Sequence, residues 1–144
     1  MQPKVFVNQL DDRQIVQAIA DAERNSSGEI RVYISEKQVE NVVEEAKVHF
    51  LRLGMQKTRE RNGVMIYIAP RSRNFAVVGD AGIHEKCGES LWTEVAAIME
   101  LHLKADRYTE AILAAVAKVG SILAIQFPRR PDDVNELPDD IAGD

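Results

Sequence analysis

The sequence predicts an α/β protein in which helices cover both faces of a small mixed sheet, in the order α-β-α-β-β-α-α. Segments with a helical spacing of apolar residues alternate with short apolar strands. Residues 63–69 are almost continuously apolar, which is typical of a central strand covered on both faces. Only a short turn separates this strand from the next one. The two strands therefore form an antiparallel hairpin, because a parallel connection needs about a dozen residues or more.

Length and charge predict one domain and a tail. The chain has 144 residues, of which 45% are hydrophobic and 28% charged, as in a soluble globular domain. Residues 129–144 carry −4 of the total net charge of −5, so the first 128 residues carry only −1. We therefore predict an α/β domain over 1–128, followed by an extended, acidic, proline-containing tail over 129–144. A body so close to neutral disfavours a nucleic-acid partner.

Three sequence features bear on the cellular compartment. The chain has one cysteine, which excludes an internal disulfide. No apolar run approaches the ~20 residues that a membrane span requires. Residues 1–22 lack a basic segment followed by an apolar one, so we expect no export signal and a cytoplasmic location.

The first helix and the first strand have clear signals. Asp11 and Gln14 form a capping box before the apolar series of Ile15 and Ile19, which predicts a helix over about 12–24. Residues 29–35 alternate strictly between polar and apolar side chains. This alternation predicts a strand with one face exposed.

The helical period returns between Val39 and Gly54, with the glycine just after the predicted helix. The strands 63–69 and 75–78 follow, and the second one ends at Gly79-Asp80.

After a predicted loop punctuated by Gly82 and Gly88, Ser90 begins a helix. Asp106 is the predicted cap of a last helix, which Pro128 ends.

Strand direction brings three polar segments to one edge of this sheet. Strands 29–35 and 64–69, joined through a helix, are parallel, and strand 75–78 runs back against the second one. The end of that third strand therefore lies beside the starts of the other two. The segments at this edge are 26–29, 61–63 and 79–80, and each places a glycine next to a polar side chain.

Oxygen ligands dominate this predicted edge. Glu29, Asn62 and Asp80 supply carboxylate and amide oxygens, which suit Ca²⁺ or Mg²⁺ rather than Zn²⁺. The alternative interpretation is that these are ordinary strand-end turns with solvated caps. Spacing alone leaves both interpretations open.

Other candidate residues give weaker signals. His49 is expected on a helix surface, and His84-Glu85-Lys86-Cys87 resembles half a metal site without a second half. Cys87 is expected to be an inert thiol, because no base is placed near it in the sequence. The basic interval 52–73 can steer a phosphate-bearing ligand or form a solvated surface.

Four short segments stand out along the chain: Ser27-Gly28-Glu29-Ile30, Arg61-Asn62-Gly63-Val64, Val78-Gly79-Asp80 and Asn135-Glu136-Leu137-Pro138. They resemble the signature of the TPM-domain family and occur in the family's order. The resemblance covers about residues 10–140 of the chain. The family includes an acid phosphatase of the thylakoid lumen and many bacterial proteins. Many of its members carry an export signal and a membrane anchor, for which this sequence shows no pattern.

The resemblance implies a three-layer α/β/α sandwich with a Rossmann-like core, a divalent-cation site that often binds calcium, and at most a weak phosphatase activity. Glu29, Asn62 and Asp80 are the candidate metal ligands. In a metal-dependent phosphatase acting on a phosphorylated small molecule, Asp80 would be the principal ligand and Glu29 a second ligand or general base. Arg61 would bind the substrate phosphate.

A non-catalytic role is the alternative hypothesis. The chain would then be a Ca²⁺-responsive protein-interaction module. Its acidic tail would dock onto the basic interval 52–73, in the same chain or in another protein.

Overall fold

The computed structural model describes residues 10–129 and 141–144, and the structural statements below concern this part of the chain. The helices are α1 (Asp12–Arg24), α2 (Val42–Arg52), α3 (Ala81–Cys87), α4 (Ser90–Lys104) and α5 (Tyr108–Gln126). The strands are β1 (Glu29–Ile34), β2 (Gly63–Ala69), β3 (Asn74–Gly79) and β4 (Ile141–Gly143).

The sheet has four strands in the order β3-β2-β1-β4. Strand β1 pairs in parallel with both β2 and β4, whereas β2 and β3 form the predicted antiparallel hairpin. Helices lie on both faces, so the predicted mixed α/β sandwich is confirmed. The predicted strand order lacked only β4.

Helix α1 begins and ends where the sequence predicts. The Asp11 side chain accepts a hydrogen bond from the Gln14 amide at 3.1 Å, which caps the first turn. Ile15 and Ile19 are fully buried on the face that packs against α5. Gly120 of α5 permits this contact, because a Cβ atom there would lie 2.7 Å from the Ala22 Cβ atom.

The two sheet faces bury different residues. On one face, α1, α3, α4 and α5 cover an aliphatic core. On the other face, α2 covers a smaller core that contains aromatic side chains. The first core includes Ile15, Ile19, Ile30, Val32, Val64, Ile66, Ile83, Val95, Ile112, Val119 and Leu123, and the second includes Tyr33, Ala46, Phe50, Met55, Met65, Tyr67 and Ala76.

Two predictions, one about strand β1 and one about the segment after Asp80, were wrong. Strand β1 is not half exposed: all six of its residues are buried, because β4 adds a strand outside it and both faces are covered. The segment after Asp80 is not a loop but helix α3, in which only Ile83 is buried. One buried position gives no helical period to detect.

The end of the chain also differs from its prediction. Asp106 does not cap the last helix: Arg107 holds that position without a side-chain cap, and the Asp106 carboxylate accepts a hydrogen bond from the Tyr108 hydroxyl. Strand β4 lies within the segment that the sequence analysis predicts as a tail. Residues 130–140 of that tail lie outside the described residues.

Among the described helices, α5 alone is long and apolar enough to cross a membrane by length and composition. The core helix of a soluble protein passes the same test, and seven α5 residues are buried here against the sheet and its neighbouring helices. This feature is weak evidence for a membrane span.

Candidate functional site

The three predicted segments meet at one edge of the sheet, where β1 and β2 begin and β3 ends, as strand direction requires. Glu29 is paired with Gly63 across β1 and β2. The Asp80 amide donates a hydrogen bond to the Gly63 carbonyl at 3.0 Å, and the Glu29 amide donates one to the Asn62 carbonyl at 3.3 Å. Main-chain bonds therefore join all three segments.

Asp80 forms a bidentate ion pair with Arg61. The Arg61 Nε atom donates to Asp80 Oδ2 at 2.7 Å, and one terminal nitrogen donates to Oδ1 at 2.8 Å. The Asp80 side chain is only 6% exposed, whereas that of Arg61 is 53% exposed. The hydrogen bonds to Asp80, followed by the attraction of its charge, raise the pKa of Arg61.

Asp80 also begins helix α3. Its Oδ1 atom accepts a hydrogen bond from the Ala81 amide at 2.8 Å, so the carboxylate caps the helix as well as binding Arg61. Arg61 itself has a φ of +54°, a left-handed conformation that non-glycine residues seldom adopt. The loop is therefore held in an unusual shape at the residue that contacts Asp80.

Asn62 belongs to a second polar group beside β1. Its Nδ2 atom donates to the Ser27 hydroxyl at 3.0 Å and approaches Glu60 Oε2 at 3.4 Å. The Ser27 hydroxyl also donates to Glu60 Oε2. The backbone amide of Asn62 donates a hydrogen bond to the Thr58 hydroxyl at 3.1 Å, and this bond fixes the loop before β2.

Three further residues shape this edge without a predicted role: Ser27, Glu60 and Gly82. Glu60 lies in a polar stretch without a period, so no sequence signal identifies it. Gly82 has a steric role, because a Cβ atom there would lie 2.4 Å from the Glu60 carbonyl oxygen. Its amide donates to the Arg61 carbonyl at 2.8 Å, so a glycine is needed for α3 to approach this loop.

The predicted ligands share an edge but not one cluster. Glu29 and Asp80 lie on opposite sides of Gly63, which separates their backbones by about two strand spacings, or ~10 Å. The space that a side chain at Gly63 would occupy is filled: a Cβ atom on Gly63 would lie 3.0 Å from the Met55 carbonyl oxygen and 3.6 Å from the Phe50 ring. Asp80 with Arg61 and Asn62 with Glu60 therefore form two adjacent groups.

The donor chemistry at this edge suits a hard cation, whereas the arrangement is not that of a preformed site. Glu29, Glu60, Asn62 and Asp80 offer oxygen ligands, and Asp80 already binds a cationic group through both oxygens. Within residues 10–129 and 141–144, no group of three or more His, Cys, Asp or Glu side chains is placed to hold a metal ion.

A different polar cluster lies at the other end of the sheet, beyond the carboxyl ends of β1 and β4. Asp144 receives hydrogen bonds from the Tyr33 hydroxyl at 2.7 Å, the Ser35 hydroxyl at 2.8 Å and the Glu36 amide at 2.5 Å. We call Tyr33, Ser35 and the Glu36 amide the Asp144 cradle. Burial alone would raise the pKa of Asp144, but the hydrogen bonds outweigh burial and lower it.

His49 lies beside this cradle and not on the helix surface. It is 6% exposed and stacks on Tyr33 with a centroid distance of 4.4 Å and on Tyr67 with one of 5.6 Å. Its Nε2 atom lies 4.0 Å from Asp144 Oδ1 and 3.8 Å from Glu45 Oε2. The surface prediction for His49 was therefore wrong, because a tertiary aromatic stack buries this side of α2.

The His84–Cys87 segment lies in α3, where His84 contacts the Trp92 ring. Burial raises the pKa of the Cys87 thiol, which disfavours the thiolate that a nucleophile needs.

Comparison with known proteins supports the fold and identifies the family. The profile of the TPM domain matches residues 3–122. The comparison with curated proteins gave no match. Among solved structures, the BA42 protein of the psychrophilic bacterium Bizionia argentinensis is 34% identical with a TM-score of 0.86, over 92% of each chain.

A second structure, the N-terminal domain of a P. gingivalis protein, is 14% identical with a TM-score of 0.65, over 83% of this chain and 79% of that one. At this identity the similarity concerns the fold alone. The match to the TPM domain covers well over half of the chain and includes three of the four signature segments, whereas residues 135–138 lie beyond it. The chain is therefore a member of the TPM-domain family.

Proposed function

We propose that this TPM domain binds a divalent cation, Ca²⁺ or Mg²⁺, at the sheet edge formed by residues 26–29, 61–63 and 79–82. Asp80 is the principal ligand. Glu29 and Asn62 are the further candidate ligands, and they reach the same ion only if the loop before β2 rearranges, because they do not share one cluster with Asp80. One observation carries the proposal: a buried carboxylate at this edge binds a cationic group, the Arg61 guanidinium, through both of its oxygens.

In this proposal the metal ion and Arg61 compete for Asp80. The guanidinium is half exposed and can turn into solvent, whereas the carboxylate is fixed by the Ala81 amide. Binding is therefore weaker than at a preformed site, because the ion must first displace Arg61.

The same edge offers groups for a phosphate ester. A bound divalent cation would polarise a phosphoryl oxygen. Arg61, once released from Asp80, presents a guanidinium that matches a phosphate group in a bidentate manner. Glu29 is the candidate second ligand or general base. A weak phosphatase is therefore the activity to test at this site.

Calorimetric titration with CaCl₂ and with MgCl₂ tests cation binding. Asp80→Asn keeps the cap acceptor but removes the charge, and we expect it to abolish the binding heat. Asp106→Asn removes a carboxylate from the opposite end of the sheet and is the matched control, for which we expect wild-type affinity. Equal affinities of Asp80→Asn and wild type would refute Asp80 as a ligand.

Hydrolysis of p-nitrophenyl phosphate in the presence of each cation tests the activity. We expect a slow, cation-dependent rate that Asp80→Ala removes. Equal rates for wild type and Asp80→Ala would exclude catalysis at this edge, while the titration decides separately on cation binding.

A non-catalytic interaction module is the second candidate, and one observation favours it. The described part of the acidic tail makes specific contacts with a folded surface: Asp144 binds Tyr33, Ser35 and the Glu36 amide at the end of β1, and not the predicted basic interval 52–73. Cation binding without hydrolysis would favour this candidate.

A further inference from the structure

The cradle for Asp144 lies where α/β sheets commonly bind ligands. The chain leaves β1 toward β2 on one side, and β4 pairs with β1 on the other side, so the strand order reverses at β1. In open α/β sheets, ligands bind outside the carboxyl ends of the strands at such a switch point. Here the chain's own Asp144 carboxylate occupies this position.

The cradle has the chemistry of a carboxylate-binding site. Two hydroxyls and one backbone amide donate to the two Asp144 oxygens. Tyr33 is 4% exposed and Ser35 is fully buried, so both donors are held in place by the core. The fully buried Tyr67 belongs to the same aromatic stack, and within the described residues its hydroxyl makes no hydrogen bond of normal geometry.

The segment that fills the site is held by few bonds. Strand β4 pairs with β1 over only three residues, from Val32–Ile141 to Ile34–Gly143. Ala142 is buried in the second core, and Ile141 is partly buried against the first core. Without this segment, β1 would present unpaired backbone groups at the edge of the sheet, which are a template for another strand.

We propose that the outer edge of β1 and the Asp144 cradle form an acceptor site for an extended strand that carries an aspartate side chain, and that a second copy of this chain supplies this strand by exchanging residues 141–144. The mode is addition of a parallel strand combined with capture of a carboxylate. It goes beyond the proposed cation site, because it lies at the other end of the sheet.

A second copy is the occupant that the observations favour. The strand seen in the site is this chain's own Ile141–Asp144, so another copy carries a segment with the same fit. Residues 130–140 connect this strand to the body, and a segment of that length can span up to roughly 40 Å when extended. Exchange of the same element between identical chains is a low-cost route to a dimer.

Two full-length variants separate the strand from its acceptor. Tyr33→Phe/Ser35→Ala weakens the cradle but keeps the segment 141–144, and we call it the donor variant. Asp144→Ala keeps the cradle but lacks the carboxylate, and we call it the acceptor variant. We expect each variant alone to be a monomer with its β4 amides unprotected, and their mixture to form a 1:1 complex of twice the mass in sedimentation velocity.

Two controls each carry one further substitution in the donor variant. A further Asp144→Ala change removes the carboxylate from the donated strand, and we expect it to abolish the complex. A further Asp139→Ala change removes the same charge from another position of the tail, and we expect the complex to remain. Loss of the complex with both changes would mean that the general charge of the tail drives association, which would overturn the proposal.

A peptide of residues 137–144 gives a second readout that does not depend on the folding of the donor variant. Added to the ¹⁵N-labelled acceptor variant, it should shift the amide signals of residues 32–36, and the same peptide ending in alanine should not. The proposal is overturned if β4 stays paired in the acceptor variant, or if β4 is released and neither the donor variant nor the peptide binds.

Discussion

Arg61 donates two hydrogen bonds to the two carboxylate oxygens of Asp80, at 2.7 and 2.8 Å, across the gap between the loop before β2 and the start of α3. This pair joins two of the three segments that strand direction brings to one edge of the sheet. It also defines what a cation must displace in order to bind Asp80.

Arg61→Gln should strengthen cation binding. The substitution removes the positive group that competes for Asp80, and we expect the affinity for Ca²⁺ to rise about three- to fivefold, the factor expected from a partly exposed ion pair. Arg71→Gln removes the same charge from the exposed turn after β2 and is the control in the calorimetric titration. Weaker binding by Arg61→Gln than by Arg71→Gln would contradict the competition.

Gly82→Ala should displace the candidate site. The added Cβ atom would lie 2.4 Å from the Glu60 carbonyl oxygen, so α3 or the loop must move. We expect a loss of about 1–3 kcal/mol in the free energy of unfolding and weaker cation binding.

Gly54→Ala is the control for this prediction. Gly54 has a φ of +73°, so alanine there is strained, but its nearest neighbour would be the Lys57 side chain at 3.6 Å. We expect denaturant unfolding to show a loss of ~1–2 kcal/mol with unchanged cation affinity. If both variants lost affinity equally, the steric role of Gly82 would be disproved.

Tyr33→Phe and Tyr67→Phe should have different effects on stability, although the two rings are stacked with a centroid distance of 5.3 Å. The Tyr33 hydroxyl donates to Asp144, and its loss should cost about 1–3 kcal/mol. The buried Tyr67 hydroxyl interacts with Ser35 but makes no hydrogen bond of normal geometry among the described residues, so its loss should cost less than that of the Tyr33 hydroxyl, at most ~1 kcal/mol. Urea unfolding of both variants measures this contrast, and equal costs would contradict it.

Acid should release strand β4 before the rest of the fold. The pKa of Asp144 is lower in the folded protein than its ordinary value of about 4, so its contribution to stability is present above that value. This contribution is lost as the pH falls through the lower, folded pKa. We expect amide protection of residues 141–143 to disappear below about pH 4, whereas Asp144→Asn should show little protection and no such step. Release between pH 5 and 7 would point to another group.

Much of the architecture follows from the sequence because its signals are local. The Asp11 cap, the alternation of residues 29–35 and the apolar run of β2 each depend on neighbouring residues only. Strand direction then placed Glu29, Asn62 and Asp80 at one edge without any knowledge of side-chain contacts.

The features that the sequence could not predict depend on distant residues. His49 has the position of a surface residue in α2, and only the Tyr33 and Tyr67 rings bury it. Strand β4 has three residues and no period of its own, and its place is determined by β1 and by Asp144. Asp80 was correctly placed at the edge. Spacing does not reveal that it pairs with Arg61, which is a tertiary contact, or that it caps helix α3, which was not predicted as a helix.

A titration of the ¹⁵N-labelled protein with CaCl₂ and MgCl₂, followed by amide NMR shifts, tests the cation site most directly. We expect residues 26–29, 61–63 and 79–82 to shift together and to saturate with one affinity, and Asp80→Asn to remove these shifts. Shifts that are absent, or that are scattered over the surface without saturation, would contradict a cation site at this edge of the sheet.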